Sequence, residues 1–336
     1  MLYIRTDMND FIATGHVMRC LAIADAAAEL GEDTVFLLAD RQAVGLIGDR
    51  GYRSIVLHTQ WNHMDAEMDV LKSVIRKQKI QMLLVDSYMV TPAYLRVLSE
   101  LTSVAYLDDL NAFDYPVQTI ICYANYWKKF GYKERYEQTK LLLGPKYVPL
   151  RRAYANAGFR KIRRRADNIL ILSGGTDNFG FIERMLHIIS KMEYRNIEVI
   201  CGAFYVEYDR LCRKFGQYSN IHIYKNVTDM ENYMLRADIA VSAGGTSLYE
   251  LCACGTPTIS YAVADNQLAN VEQFQKDRLI DYVGDIRNTD IFEKVELLLC
   301  EYGNNYQLRQ KRSEKMQKLV DGKGAERIAR EFMVRE

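Results

Sequence analysis

The chain has 336 residues, more than one compact core usually accommodates, and we expect two domains of roughly 150 residues each. Hydrophobic residues make up 49% of the sequence and charged residues 26%, a balance that is typical of folded globular proteins and excludes disordered and fibrous chains. The 44 basic and 43 acidic residues leave a formal charge of +1, so no chain-wide field would attract nucleic acid or anionic lipid. These properties favour a small-molecule ligand.

No run of roughly 18 apolar residues, as a membrane-spanning helix needs, occurs in the sequence, and we expect a cytoplasmic protein without a membrane span. The seven cysteines are odd in number and scattered through mostly apolar sequence, which is typical of reduced, buried thiols. The pair Cys252 and Cys254 lacks a second pair or a nearby histidine, so a zinc site is not expected.

Short apolar runs alternate with longer helical patterns along the whole chain, which predicts β-α units around parallel sheets buried on both faces. In the first half the predicted strands are residues 2–5, 34–38, 55–57, 82–86, 104–107 and 119–122. In the second half they are residues 169–173, 197–201, 221–224, 239–242 and 258–261.

The predicted domains are residues 1–145 and 168–336, joined by a linker at 146–167. Around this boundary lie two prolines, no convincing strand and a basic cluster, which we interpret as a solvated linker or helix face: Arg160, Lys161, Arg163, Arg164 and Arg165. The final helices could pack on the second domain or return to the first. Two doubly wound domains would bind a ligand beyond the carboxyl ends of their strands, in the cleft that they face.

A polar loop beginning at Asp7 follows the first predicted strand, and a helical pattern begins near Gly15 and His16. A helix N-terminus carries partial positive charge, which disfavours imidazolium, so a histidine there can stay neutral and accept a proton. His16 is therefore a candidate general base. The alternative is a histidine that only caps or packs.

Two glycine pairs follow strands of the second half: Gly174-Gly175, and Gly244-Gly245, which leads through Thr246-Ser247 into a helix. Backbone N–H groups and hydroxyls at such places can hold a diphosphate. Glu250, one turn into the helix, could accept both hydroxyls of a ribose. Either glycine pair could instead form a simple tight turn.

These loops lack both the Gly-x-Gly-x-x-Gly pattern and the Lys-Ser/Thr ending of a P-loop, which argues against dinucleotide oxidoreductases and NTPases. The chain contains no Asp-x-Asp sequence to chelate a metal on a diphosphate. Helix termini and side chains would have to neutralise the diphosphate, and we expect neither a metal nor a cofactor.

Polar residues also follow other predicted strands. Asp86 and Tyr88 could face the cleft, or could cap and pack the following turn. Asp108 and Asp109 pose the same question, with capping favoured. The amides of residues 266–267 could bind sugar hydroxyls or N-acetyl groups, or could cap a helix.

Taken together, these segments resemble the UDP-sugar hydrolases of pseudaminic-acid biosynthesis and the related spore-coat polysaccharide proteins. The resemblance spans nearly the whole chain and rests on residues 14–21, 85–88, 107–109, 143–151, 173–177, 244–251, 265–267 and 321–325. The Gly-His-x-x-Arg-Cys and Gly-Pro-Lys-Tyr patterns are fairly specific, whereas wider glycosyltransferases share the Gly-Gly-Thr segment.

The resemblance implies an α/β fold of the GT-B type, similar to MurG, with two doubly wound Rossmann-like domains. UDP would be held mainly by the C-terminal domain, and the sugar and catalysis would belong to the N-terminal one. The catalytic candidates are His16, Tyr88 and Asp86. The UDP-binding candidates are Gly174, Gly175, Gly244, Gly245, Thr246, Ser247 and Glu250, and the sugar-binding candidates are Gly15, Arg19, Asn266 and Gln267.

The function so implied is release of UDP from UDP-2,4-diacetamido-2,4,6-trideoxy-β-L-altrose or a close analogue, by attack of water on C1 with inversion. The partners would be this UDP-sugar and the product UDP. The family usually has Ile-Gly-x-Gly before its histidine, whereas Ala13 stands in the corresponding approach here. The alternatives are a GT-B glycosyltransferase that uses a UDP-sugar donor and a non-catalytic nucleotide-sugar-binding protein.

Overall fold

The computed structural model describes residues 1–9, 12, 14–155, 157–175, 177–202 and 205–333. Ala13 and Thr176, which the sequence motifs include, lie outside the described residues. The chain divides into two compact units. The first unit combines Met1–Arg152 with Gly322–Glu336, and the second is Ala153–Asp321.

The first unit is built on a parallel sheet with the strand order β3-β2-β1-β4-β5-β6-β7. Its strands are β1 (Leu2–Thr6), β2 (Thr34–Leu38), β3 (Arg53–Val56), β4 (Met82–Asp86), β5 (Ser103–Leu107), β6 (Thr119–Cys122) and β7 (Lys140–Leu143). The chain order reverses between β1 and β4, so the loops that leave these neighbours diverge to opposite faces of the sheet. In doubly wound sheets such a reversal is where ligands bind.

The second unit contains a parallel sheet with the order β10-β9-β8-β11-β12-β13, and here the reversal falls between β8 and β11. Its strands are β8 (Asn168–Leu172), β9 (Asn196–Cys201), β10 (Ile221–Lys225), β11 (Ile239–Ala243), β12 (Thr258–Ala262) and β13 (Asp281–Asp285). Both sheets are doubly wound, and the predicted fold class is confirmed.

Helices connect the strands and cover both faces of each sheet. In chain order they are α1 (Gly15–Glu29), α2 (Val44–Gly48), α3 (Met68–Gln78), α4 (Pro92–Leu101), α5 (Tyr132–Arg135), α6 (Arg152–Ala155), α7 (Phe181–Ile189), α8 (Tyr208–Phe215), α9 (Met230–Arg236), α10 (Ser247–Cys254), α11 (Asp265–Lys276), α12 (Phe292–Asn304), α13 (Tyr306–Leu319) and α14 (Gly324–Met333). In the described part of the chain, no helix has both the length and the apolar composition that crossing a bilayer requires.

The apolar side chains of the strands form a large part of the hydrophobic core of each unit. In the first unit, Leu83 and Val85 of β4 are fully buried and belong to one cluster with Leu95 and Leu98 of α4. Helix α4 begins where Thr91 accepts a hydrogen bond from the Tyr94 N–H at 3.0 Å, with proline in its first turn. Because such strands are packed in the core, the residues that directly follow them have tightly fixed positions.

A fully buried ion pair joins Arg5 of β1 to Glu67. Arg5 donates to both carboxylate oxygens of Glu67, at 2.8 and 2.7 Å, and also to Asp7. Hydroxyls of Thr59 and Tyr94 donate to the same Glu67 carboxylate, at 3.1 and 2.7 Å. Because each charge is matched by several partners, this network fixes the start of the loop after β1.

The closing helix α14 packs on α1 within the first unit. Gly324, its first residue, lies so close to Val148 that a Cβ atom would be 2.1 Å from the Val148 carbonyl oxygen. Only glycine therefore permits this return. The two motifs at 143–151 and 321–325 meet at this point, and the contact gives both of them a structural role.

The basic cluster is solvated only in part. Lys161, Arg163, Arg164 and Arg165 are exposed, as expected for a linker. The guanidinium of Arg160 instead donates to the carbonyls of Met234 and Ala237 and to the Thr256 hydroxyl. Burial lowers the pKa of Arg160 to about 10. Its interpretation as a solvated side chain is wrong, because it holds the linker to the second unit.

Candidate active site

Polar side chains converge at the carboxyl ends of four neighbouring strands in the first unit. The strands are β1, β4, β5 and β6, and the side chains that they and their loops position are His16, Arg19, Asp86, Tyr88, Asp109 and Tyr123. This group, which we call the His16 cluster, lies at the reversal between β1 and β4. It occupies the place where the fold is expected to bind a ligand.

His16 is the second residue of α1, as the sequence predicts, and its side chain is 8% exposed. Its Nδ1 lies 2.7 Å from Oδ1 of Asp86, the last residue of β4. Because a carboxylate only accepts, a hydrogen bond between these two atoms requires the ring proton on Nδ1. Nε2 makes no hydrogen bond with any described residue, so its lone pair is available to accept a proton.

Arg19 lies one turn after His16 on the same helix face and clamps Asp86. Its Nε is 2.6 Å from Oδ2 and its Nη2 is 2.5 Å from Oδ1. Burial alone would raise the pKa of Asp86, but Arg19 and His16 outweigh burial and hold this pKa well below its usual range. Asp86 is therefore a carboxylate at neutral pH. Arg19 is expected from the sequence to bind the sugar. In the structure its guanidinium makes hydrogen bonds within the His16 cluster.

Tyr88 follows β4 and packs its ring edge-on against the His16 ring, with centroids 4.6 Å apart. Its hydroxyl donates to Oδ2 of Asp109 at 3.0 Å. Burial, and then the Asp109 carboxylate, raise the pKa of Tyr88. Tyr88 is thus a neutral phenol whose orientation Asp109 holds.

Asp109 and Tyr123 complete the cluster. The sequence leaves Asp109 open between facing the cleft and capping, with capping favoured, and does not single out Tyr123. Nη1 of Arg19 donates to the Tyr123 hydroxyl at 2.8 Å and lies 3.4 Å from Oδ2 of Asp109. Burial raises the pKa of Tyr123 to about 12. Asp109 lies two residues after β5, the neighbour of β4, and Tyr123 directly follows β6, the next strand of the sheet. Position at the carboxyl end of a strand is the signal by which the sequence could have identified them.

Asp108, beside Asp109, has the capping role that the sequence favoured. Its carboxylate accepts from the N–H groups of Leu110 and Asn111 at 2.9 and 3.0 Å. The hydroxyls of Tyr115 and Tyr132 donate to it as well. The Asp-Asp pair thus divides its roles: Asp108 forms the turn, and Asp109 reaches the His16 cluster.

In the second unit both glycine pairs lie at the reversal between β8 and β11. Gly174 and Gly175 follow β8, and Gly244 and Gly245 follow β11. Gly202 packs on the first loop so closely that a Cβ atom would be 2.3 Å from the Gly175 carbonyl oxygen. Because β8 and β11 pair in parallel, the two glycine loops leave neighbouring strands at the same edge of the sheet.

Helix α10 begins at Ser247, and the Thr246 side chain does not cap it. Thr246 is exposed, whereas Ser247 and Glu250 are half-buried. Glu250 lies in the first turn of α10, close to the glycine pair. An uncapped helix start of this kind favours an anion.

Gly244 is held by close packing. A Cβ atom there would be 2.2 Å from Cγ1 of Val271, and its carbonyl accepts from Asn270 at 3.1 Å. The Tyr249 hydroxyl in turn donates to Asn270 at 2.9 Å. By contrast, a Cβ atom on Gly245 would meet nothing closer than 3.8 Å.

Of the remaining sugar-binding candidates, Gln267 lies against the glycine pair, since its Nε2 would be 3.8 Å from a Cβ atom on Gly245. Gly15 is the exposed first residue of α1. Asn266 is exposed in the first turn of α11, and the Gln267 side chain accepts from the Val263 N–H at 3.0 Å. In the described residues, no group of three or more His, Cys, Asp and Glu side chains is placed to hold a metal ion.

Solved structures match the chain along its whole length. MurG of Acinetobacter baumannii aligns with a TM-score of 0.73 over 99% of each chain, at 12% identity. The kitacinnamycin glycotransferase aligns with a TM-score of 0.71 over 99% of this chain and 98% of that one, at 14% identity. The chain has the GT-B fold. Residues 168–325 also match the model of the glycosyltransferase family 28 C-terminal domain.

Curated relatives share more sequence identity with this chain but align over smaller parts of it. An uncharacterised protein of Methanocaldococcus jannaschii is 24% identical over 85% of this chain and 59% of its own length. The spore coat polysaccharide biosynthesis protein SpsG of Bacillus subtilis is 25% identical over 56% of this chain and 57% of its own. The UDP-N-acetylglucosamine transferase of Campylobacter jejuni that acts on N-acetylmuramyl-(pentapeptide) pyrophosphoryl-undecaprenol is 32% identical over 41% of this chain and 43% of its own.

The chain therefore spans about half the length of the curated relatives it matches. Together, these findings relate this GT-B protein to glycosyltransferases that act on nucleotide sugars.

Proposed function

We propose that the protein is a nucleotide-sugar hydrolase of pseudaminic-acid-type glycan biosynthesis. Its substrate would be UDP-2,4-diacetamido-2,4,6-trideoxy-β-L-altrose or a close analogue, and UDP would be released. The observation that carries the proposal is the hydrogen bond between Nδ1 of His16 and Asp86, which leaves Nε2 unbonded among the described residues. This arrangement is that of a general base for water.

In the proposed reaction, Nε2 of His16 takes a proton from a water molecule as the water oxygen bonds to C1 of the sugar. The bond between C1 and the diphosphate oxygen breaks, and UDP leaves with the electron pair. Attack from the face opposite the diphosphate inverts C1. Asp86 stabilises the imidazolium that forms, and the proton then passes from Nε2 to solvent.

The proposal assigns UDP to the second unit and the sugar and catalysis to the first. N–H groups at the glycine pairs and at the start of α10 would bind the diphosphate, with the Thr246 and Ser247 hydroxyls as further donors. Glu250 would accept the ribose hydroxyls. Gly15, Asn266 and Gln267 would lie near the sugar.

The test is incubation with the diacetamido UDP-sugar, without an acceptor, followed by proton NMR of the products. We expect UDP and a free sugar whose first-formed anomer is inverted at C1. His16→Asn should lose most turnover, about 10²- to 10⁴-fold, and keep its affinity for UDP measured by calorimetry. Hydrolysis at the parental rate in this variant would show that His16 is not the base.

A second candidate is a glycosyltransferase, favoured by the match of residues 168–325 to a glycosyltransferase domain. The same His16 base would then take its proton from an acceptor hydroxyl in place of water. UDP release that depends on an added acceptor, with the sugar found attached to it, would support this candidate. Equal release with and without acceptor would exclude it.

A further inference from the structure

Helix α11 packs its buried side against the loop that contains Gly244 and Gly245. The buried residues of α11 are Asn270, Val271 and Phe274, which lie on one face of the helix. Val271 leaves no room for a side chain at Gly244, and Asn270 donates a hydrogen bond to the Gly244 carbonyl. The backbone of this loop is therefore held by side chains of a neighbouring helix.

The amide of Asn270 is buried and hydrogen-bonded at both ends. Its Nδ2 donates to the Gly244 carbonyl at 3.1 Å, and its Oδ1 accepts from the Tyr249 hydroxyl at 2.9 Å. A reversed amide would place Oδ1 against the Gly244 carbonyl, and neither oxygen could donate. These two contacts therefore determine which end of the amide faces the loop.

Tyr249 is itself fixed by packing. Its ring is buried and lies edge-on to the ring of Phe274, with centroids 5.2 Å apart. Since Tyr249 belongs to α10 and Asn270 to α11, their hydrogen bond joins the two helices that follow β11 and β12. A buried hydrogen bond between two helices leaves the Asn270 amide little freedom to move.

The hydrogen bond from Asn270 also orients the next N–H group of the chain. The carbonyl of Gly244 and the N–H of Gly245 belong to one planar peptide and point in opposite directions. Because the carbonyl faces Asn270, the Gly245 N–H points away from it. The Gly244 N–H donates to the Tyr261 carbonyl at 2.8 Å, and the Gly245 carbonyl accepts from Leu248 at 3.2 Å, so the peptides on both sides are fixed as well.

The N–H groups that follow are available to a ligand. Those of Gly245 and Thr246 make no hydrogen bond with another described residue, and the N–H of Ser247 stands at the uncapped start of α10. Adjacent N–H groups at such a place suit the oxygens of a phosphate. The direction of the Gly245 N–H therefore matters for the proposed diphosphate site.

We propose that Asn270 and Tyr249 are positioning residues of the nucleotide site. Asn270 turns the Gly244 peptide so that the Gly245 N–H faces the diphosphate, and Tyr249 holds the Asn270 amide in the required orientation. Neither side chain contacts the nucleotide. The inference rests on the proposed function, which places the diphosphate of UDP at this loop.

The main test is Asn270→Leu in the full chain, which keeps about the same side-chain size and removes the donor to Gly244. The dissociation constant for UDP, measured by calorimetry, should rise about tenfold, because a hydrogen bond to a charged group is weakened. Uridine lacks the diphosphate, and its affinity, measured by NMR titration, should stay within about twofold of the parental value. Unchanged UDP affinity, or equal losses for UDP and uridine as a merely structural role requires, would overturn the inference.

Asn220→Leu is the matched control in the same unit. Nδ2 of Asn220 also donates to a backbone carbonyl, that of Tyr194, at 2.9 Å. Asn220 directly precedes β10, at the edge of the parallel sheet opposite to the glycine loops. This variant should therefore keep the parental affinity for UDP. A loss as large as that of Asn270→Leu would overturn the inference.

Tyr249→Phe is a milder variant that removes only the hydroxyl. It should weaken UDP binding about threefold and leave uridine binding unchanged, because the Asn270 donor is still present but less firmly held. Tyr194→Phe is its control, since it removes a hydroxyl that donates to the Leu299 carbonyl at 3.1 Å. Circular dichroism verifies folding. If Asn270→Leu does not fold, Tyr249→Phe decides alone, and unchanged UDP affinity then overturns the inference.

Hydrolysis separates this inference from the proposed function. A parental protein that binds UDP but does not cleave the UDP-sugar, and whose variants lose UDP affinity as stated, would refute the hydrolase and retain the two positioning residues. A parental protein that hydrolyses the UDP-sugar, but whose Asn270→Leu variant binds UDP normally, would do the reverse. A parental protein that binds no UDP would overturn both.

Discussion

Oδ1 of Asp86 lies 2.7 Å from Nδ1 of His16, although 70 positions separate the two residues in sequence. The contact exists because Asp86 pairs in register with Thr6, at the shared end of β1 and β4. Both strands are buried, and His16 belongs to the helix that follows β1. The geometry of the pair is therefore set by rigid elements, as an active site requires.

Asp86→Asn should lower UDP release about 10²- to 10⁴-fold. With Arg19 donating to the amide oxygen, the amide nitrogen would face Nδ1 and force the ring proton onto Nε2, so His16 could no longer accept a proton there. The measurement is steady-state release of UDP at pH 7. Asp114→Asn is the control, because it removes the same charge from a side chain that is 82% exposed. Equal losses in the two variants would contradict the prediction.

The free energy of unfolding should depend on Asp86 in a pH-dependent way. The folded-state pKa of Asp86 lies below its value in the unfolded chain, so its pairing stabilises the protein fully above about pH 5. That stability is lost as the pH falls through the folded-state pKa. Urea unfolding of the parental protein and Asp86→Asn should thus give free energies that converge between about pH 5 and pH 2. A gap that stays constant with pH would show that Asp86 is not held as a carboxylate.

Gly244 and Gly245 should respond differently to alanine. Gly244→Ala places a methyl group against Val271 and should lower the free energy of unfolding by about 1–3 kcal/mol. Gly245→Ala meets only ordinary contacts and should keep its stability, but should weaken UDP binding about tenfold if this loop holds the diphosphate. Thermal unfolding and calorimetry with UDP separate the two effects. Unchanged UDP affinity in Gly245→Ala would remove that residue from the proposed site.

Gly324→Ala should destabilise the first unit, because the new methyl group would overlap backbone atoms of Val148, which cannot move aside cheaply. A cost of about 1–3 kcal/mol is expected from overpacking. Gly45→Ala in α2 is the matched control, since nothing lies within 4 Å of its added Cβ atom. Chemical denaturation should show a loss for Gly324→Ala and no loss for Gly45→Ala.

Most strands could be predicted from sequence because parallel strands buried on both faces are continuous apolar runs. The two missed strands, β7 and β13, each pair with one neighbour only, at an edge of a sheet. β13 contains two aspartates and Gly284 in a left-handed conformation, a composition that predicts a turn. Their strand structure comes from pairing with β6 and β12, which local sequence does not encode.

The His16 cluster could be predicted only in part, for a related reason. His16 and Asp86 follow or end strands with strong apolar patterns, and both were among the candidates. The resemblance implies that Arg19 binds the sugar, and nothing local in the sequence shows that it also pairs with Asp86; the spacing of three residues from His16 is the available signal. Distinguishing Asp109 from Asp108 requires the side-chain directions after β5, which the sequence does not give.

Because α14 packs on α1, the last segment of the polypeptide belongs to the first structural unit, although the whole second unit precedes it in sequence. A chain shortened to end at Asp321 would keep every strand of both sheets, yet the helix that carries His16 and Arg19 would lose its packing against α14, in which Ala325, Ile328 and Ala329 are buried. Loss of α14 would thus remove packing from the helix that carries the candidate catalytic base His16, some three hundred positions earlier in the chain.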